Sequence, residues 1–191
     1  MFRNLSNRWT RWMVLFLLVI PATRAFSQFV GRPFVTHFEK RAYNADNQNW
    51  SVAAGPRGLV YFGNGDGLLE FDGSNWALYR MPDRGIVRSV TMGPDEKIYV
   101  GSYEEFGYWR AGPGEPLAYT SLSKDLLPEG SLHNDEIWRI IPHNGKVYFQ
   151  SFSNIFVYDG TRIDVIKPGS SMVLLMKATD RLFVHLLGQG L

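Results

Sequence analysis

Short apolar runs bounded by Gly, Pro, Asn and Asp recur along this chain, and several end in the same aromatic-centred phrase. Leu59-Val60-Tyr61-Phe62-Gly63, Lys97-Ile98-Tyr99-Val100-Gly101 and Lys146-Val147-Tyr148-Phe149-Gln150 are near copies, and Arg181-Leu182-Phe183-Val184-His185 is a weaker fourth. Apolar runs of this length between turn-forming residues read as strands. Their central aromatics stand 38, 49 and 35 residues apart, a period that suits four-stranded blades joined by loops of varying length.

The copies agree beyond one phrase. Gly55-Pro56-Arg57-Gly58 and Gly93-Pro94-Asp95-Glu96 precede the aromatic strand at the same offset, and Asn144-Gly145 fills that slot in the third copy. These are turn sequences, expected to use glycine for positive φ and proline for a preset φ. Downstream, Phe71-Asp72-Gly73 and Tyr158-Asp159-Gly160 lie 87 residues apart, the separation of Tyr61 from Tyr148. Asp-Gly between apolar runs is a hairpin signal. After it, Asn75-Trp76-Ala77-Leu78-Tyr79 and Arg162-Ile163-Asp164-Val165-Ile166 alternate as outer strands do. Each unit therefore reads strand A, turn, strand B, loop, strand C, Asp-Gly, strand D.

The predicted fold is all-β: β-propeller blades of four antiparallel strands over residues 50–191, incomplete, with three blades and part of a fourth. Within the preceding segment, residues 28–49, Pro33-Phe34-Val35-Thr36-His37-Phe38 alternates like a strand D. It is expected to close a blade whose other strands are absent. Placing Phe183 on Tyr61 sets Leu191 opposite Leu69, inside strand C, so the expected object is a fragment with an unclosed ring. Self-association through the open blade edge is the alternative expectation.

Composition changes the picture at the N-terminus. Arg3, Arg8 and Arg11 precede the apolar run Met13–Ile20, Pro21 breaks it, and Ala25-Phe26-Ser27 supplies small residues at −3 and −1. Residues 1–27 read as a secretory signal peptide cut before Gln28, which places the remainder outside the cytoplasm. The apolar run is shorter than the roughly 20 residues of a membrane-spanning helix. Removing it takes Arg3, Arg8, Arg11 and Arg24 and no acid, so the net charge falls from +2 to −2. The basic balance thus belongs to export, and nucleic acid is excluded as a partner of this segment. With no cysteine, disulfides, a thiolate nucleophile and Cys-containing zinc sites are excluded.

Candidate chemistry is sparse. His37, His133, His143 and His185 are scattered without ligand spacing, and no Gly-x-Ser-x-Gly elbow occurs. Gly63-Asn64-Gly65-Asp66-Gly67 has the glycines of a phosphate loop but lies between two strands, where such a loop needs a following helix. Glu104-Glu105 and Asp95-Glu96 are adjacent pairs whose side chains diverge, a poor geometry for a shared acid and base; they read as solvated loop charges. Trp50, Trp138, Tyr61, Tyr99 and Tyr148 read as inter-blade packing rather than sugar platforms. No cofactor and no enzymatic site is expected.

Gln48-Asn49-Trp50-Ser51-Val52, the run Leu59–Asn64, Gly67-Leu68-Leu69-Glu70-Phe71-Asp72-Gly73-Ser74-Asn75-Trp76 and the run Ile98–Trp109 together resemble the N-terminal propeller of the two-component regulator propeller proteins of Bacteroidota. The resemblance covers most of residues 33–166. It implies an extracytoplasmic, periplasmic sensor, followed in that family by a triple-tyrosine β-sandwich, a transmembrane helix and a cytoplasmic kinase or helix-turn-helix output. None of these is in the present sequence, so membrane attachment and signalling are expected only through downstream regions. The family's ligand class implies an oligosaccharide partner. In a propeller the B–C loops and D–A segments share one face, where binding residues concentrate. On the B–C loops these are Asn64, Asp66, Tyr103, Glu104, Glu105, Ser153 and Asn154; on the D–A segments Asp46, Asn47, Gln48, His133, Asn134 and Asp135. Of these, Asn64, Asp66, Tyr103, Glu104, Asn134, Asp135 and Asn154 are the candidate ligand contacts. The alternatives are a propeller lyase or glycosidase with its site in other blades, and a protein-interaction propeller.

Overall fold

The computed structural model describes residues 34–112 and 114–189. Three four-stranded antiparallel sheets and one two-stranded sheet follow one another along the chain, each in simple meander order. Blade I holds β1 (Asn49–Ala54), β2 (Val60–Asn64), β3 (Gly67–Phe71) and β4 (Trp76–Tyr79). Blade II holds β5 (Ser89–Met92), β6 (Ile98–Gly101), β7 (Phe106–Ala111) and β8 (Leu117–Ser121). Blade III holds β9 (Arg139–His143), β10 (Lys146–Gln150), β11 (Ile155–Tyr158) and β12 (Ile163–Ile166). Blade IV holds β13 (Met172–Ala178) and β14 (Arg181–Leu186). Two one-turn helices, α1 (Lys40–Tyr43) and α2 (Ser123–Leu126), interrupt the loops. These are the expected A-to-D units, with each aromatic phrase in the second strand.

Register makes the repeat physical. Val52, Val90, Ile140 and Leu175 pair with Phe62, Val100, Phe149 and Val184, so they occupy one position in four blades. Because strand side chains alternate between faces, each blade has a front turned to the preceding blade and a rear turned to the next. The cores lie between blades. Tyr61 and Leu68 on the rear of blade I pack with Val90, Ile98, Val100 and Trp109 on the front of blade II. Tyr99 and Phe106 pack likewise with Ile140, Val147, Phe149 and Phe156. Ile155 and Val157 pack with Met172 and Leu175.

Glycines permit this approach. A Cβ at Gly63 would stand 2.7 Å from the carbonyl oxygen of Val87, and one at Gly101 would run into the Ile137 side chain. In the third copy Gln150 replaces the glycine and bonds instead: its Oε1 accepts from Leu175 N at 3.0 Å. Backbone bonds staple successive blades: Val87 N to Asn64 O (3.1 Å), Ile137 N to Ser102 O (3.0 Å) and Met172 N to Phe152 O (2.8 Å).

One expectation changes in part. Positive φ in these turns falls to glycine at Gly58 and Gly145 but also to Arg57, Glu96 and Asn144, and the leading glycines Gly55 and Gly93 do not take it. The leading glycine instead makes room for the repeat aromatic, since a Cβ there would lie 2.6 Å from the ring of Tyr61 or 2.5 Å from that of Tyr99. Residues 33–38, expected to complete a blade whose other strands are absent, carry no strand over their described part, Phe34–Phe38; Phe38 sets its ring against Phe71 and Trp76 of blade I, with centroids 5.0 and 5.3 Å apart. The signal peptide, its cleavage point and Leu191 lie outside the described residues. No helix among the described residues is long and apolar enough to cross a membrane.

Candidate functional site

In a meander blade the B–C and D–A connections emerge at the same end, and here they touch. Glu104 N donates to Asp135 O at 2.9 Å, Tyr103 and Glu136 form an antiparallel bridge, and Phe152 N donates to Asp135 Oδ1 at 3.3 Å. The loops 102–105 and 151–154 and the segment 133–138 therefore form one surface between blades II and III.

Its centre is a stack that crosses three blades. Trp50, Arg88 and Trp138 are equivalent in the repeat, Trp50 at the bulge near the start of β1 and Arg88 and Trp138 just before β5 and β9. The Arg88 guanidinium lies 3.8 Å from the centre of the Trp50 ring and 5.3 Å from that of Trp138, a geometry that attracts a cation to the negative face of an indole. Trp138 in turn packs on Phe152 at 5.5 Å. Arg88 Nε donates to Glu136 Oε1, both side chains being mostly buried. Three aromatic rings nevertheless remain open: Tyr103, Phe152 and Trp50 are 49, 48 and 42% exposed. Arg88 Nη1, Trp138 Nε1 and Asp135 Oδ2 are buried without a hydrogen-bond partner among the described residues.

The expected contacts divide into two sets. Tyr103, Glu104, Asn134 and Asp135 come together: the Tyr103 hydroxyl donates to Asn134 Oδ1 at 3.1 Å, and Glu104 accepts from Asn134 N and lies 3.1 Å from His133 Nδ1. Asn154 sits half-buried on the neighbouring loop, anchored by its backbone to Ser151. Asn64 and Asp66 stand apart on blade I. Asn64 is fully buried; its Oδ1 accepts from Asp46 N and Asp66 N, and its Nδ2 donates to Asp46 O and Asn49 Oδ1. That carboxamide is spent on holding two loops together. Asp66 pairs with Arg80 at 3.6 Å.

Glu105 corrects the reading of Glu104-Glu105 as solvated charges. It is 2% exposed, accepts from the hydroxyls of Tyr119, Ser121 and Ser123 at 2.7–2.9 Å, and pairs with Lys124 at 3.1 Å. Burial, reinforced by the Glu105 carboxylate, pushes the Tyr119 hydroxyl well above its usual value. Glu104, at φ +52°, turns the other way toward the mouth. The sequence reading missed Arg88, Glu136 and Phe152. Arg88 was within reach, since adding the 38-residue repeat offset to Trp50 lands on it; Phe152 and Glu136 carry no local motif. Beside the mouth, Glu104, Lys124, Leu127, Leu132 and His133 line a cleft of about 420 Å³.

No family model matches the chain, and neither does any curated protein. Solved structures do. The extracellular domain of a hybrid two component system from B. thetaiotaomicron superposes with TM-score 0.59 at 17% identity, over 81% of this chain and 21% of that one. The extracellular domain of a one component system from the same organism gives 0.58 at 16%, again over 81% and 21%. A streptogramin B lyase gives 0.56 at 13%, over 71% of this chain and 47% of the lyase. The chain thus spans about a fifth of the length of the two regulator domains. At these identities the likeness is one of fold, and the resemblance to regulator propellers holds at that level.

Proposed function

We propose that this chain is a ligand-sensing propeller segment of an extracytoplasmic signal-transduction regulator, and that its ligand is an oligosaccharide bound at the mouth between blades II and III. The observation that carries this reading is the set of exposed rings, Tyr103, Phe152 and Trp50, around the Arg88–Glu136 pair. Aromatic faces suit the apolar faces of sugar rings, while amide and carboxylate groups suit the hydroxyl edges. The extracellular regulator domains that share this fold support the sensor role, and the reading of residues 1–27 as an export signal supports the location. The mouth's carboxylates are individually engaged, Glu136 by Arg88 and Glu104 by Asn134 and His133, which favours reversible binding over turnover.

Calorimetric titration against a panel of neutral, uronic-acid and amino-sugar oligosaccharides tests it. At least one class is expected to bind without being cleaved, and replacing Tyr103 and Phe152 together with alanine is expected to weaken that binding at least tenfold. Absence of binding across the panel, or turnover of a bound sugar, contradicts the reading.

A further inference from the structure

The connection from blade II to blade III is the long one. It runs over residues 122–138, against 80–88 and 167–171 at the neighbouring junctions, and it carries most of the extra length between Tyr99 and Tyr148. Connections of this length in compact domains commonly serve binding. The fold pins it: Leu122 and Leu132 join the core between blades II and III, and the buried Glu105 carboxylate gathers Ser121, Ser123 and Lys124 at 2.7, 2.8 and 3.1 Å. Between these anchors opens the cleft of about 420 Å³, with Leu127, Pro128, Glu129 and Ser131 also on its walls. It borders the mouth. Glu104 and His133 line the cleft, while their chain neighbours Tyr103 and Asn134 belong to the mouth and are joined by the Tyr103 hydroxyl. Both hollows lie between complete blades, away from either end of the described chain.

We infer that the cleft is a second subsite of the mouth, taking further units of the same glycan chain, and that this glycan carries no carboxylate or sulfate groups. The inference rests on the reading of the mouth as an oligosaccharide site and narrows its ligand class. A preformed hollow with an apolar wall, here Leu127 and Pro128, and a few polar groups beside it suits a sugar unit. Charge then selects among sugars. Arg88 is paired with Glu136 and Lys124 with Glu105. Glu104, Glu129 and Asp135 have no lysine or arginine partner among the described residues; Glu104 faces only His133. A uronate or sulfated unit lying across the two hollows would meet these three uncompensated carboxylates, and like charges brought together in a contact are costly. Neutral and amino-sugar units meet no such penalty.

Calorimetry with dimers and pentamers of glucose, mannose, xylose, galactose and glucosamine, beside galacturonate and glucuronate oligomers of the same lengths, tests it. The tightest binder is expected to be a non-acidic pentamer, about tenfold or more tighter than its dimer because the second subsite adds its affinity through the linked chain. Ser131→Trp, which fills the cleft, is expected to bring that pentamer down to the dimer's affinity. Glu129→Lys, a change at an exposed wall residue, is expected to raise the affinity of the galacturonate pentamer severalfold with unchanged melting. A uronate as the tightest binder, a pentamer no tighter than its dimer, or no response of the galacturonate pentamer to Glu129→Lys would overturn the inference. If binding in those cases is still lost on replacing Tyr103 and Phe152 together with alanine, the mouth stands as the glycan site and only the second subsite and its charge selection fail; no binding by any of these sugars overturns both.

Discussion

The Asp-Gly turns show how single residues set a blade. Gly73 and Gly160 lie at φ +97° and +103°, with nothing within 4 Å of where a Cβ would stand. A substitution there meets no steric obstacle and is opposed by backbone conformation alone. Replacing either with valine is expected to cost about 1–3 kcal/mol, seen as a lower midpoint in urea; an unchanged midpoint for both would refute the turn geometry. The aspartates beside them act through charge. Asp159 Oδ1 accepts from the backbone amides of Arg162 and Thr161 at 2.9 and 3.0 Å, and those bonds hold its carboxyl well below the usual carboxylate range. A lowered folded value means stabilisation that is complete above the unfolded value of 3.8 and lost as pH falls through the folded one. Asp159→Asn is therefore expected to melt below wild type at neutral pH, with the gap closing on acidification. A gap that is constant with pH would show that the charge contributes nothing.

At the level of elements, the blade interface rests on small residues at the end of the second strand. Alanine at Gly101 would press on Ile137 and Ser89 while the backbone conformation remains ordinary for it, so Gly101→Ala is expected to destabilise by overpacking, about 1–3 kcal/mol. Denaturant unfolding checks this, and a neutral result would mean that blades II and III separate more easily than their packing implies. The strands themselves were legible because Tyr61, Tyr99, Tyr148 and Phe183 recur with their turns at matched offsets, and local repetition outweighs ambiguity in any one run. Alternation in the segment 33–38 reports a two-sided environment and names no partner; among the described residues Phe38 packs on aromatic rings of blade I. Asn64 shows what a loop position in the sequence leaves open. A polar residue on a loop looks available for ligand, but only the fold reveals that all four of its hydrogen-bonding valences go to Asp46, Asn49 and Asp66.

For the whole molecule, the propeller repeat brings together residues that no sequence window connects. Trp50, Arg88 and Trp138 are separated by 38 and 50 positions, yet they stack at the heads of three consecutive A strands because each blade starts in the same place. Tyr103, Asn134, Asp135 and Phe152 surround them from two further loops. The Asp-Gly turns occupy the opposite end, so the mouth is the face on which exposed aromatic rings, an ion pair and unpaired polar atoms coincide. The central claim is that this face receives the ligand. Amide hydrogen exchange with and without a saturating oligosaccharide identified by calorimetry tests it most directly. Protection is expected in residues 102–105, 133–138 and 151–154, with residues 72–75 and 159–162 unchanged; protection centred on those turns, or none at the mouth, would contradict the account.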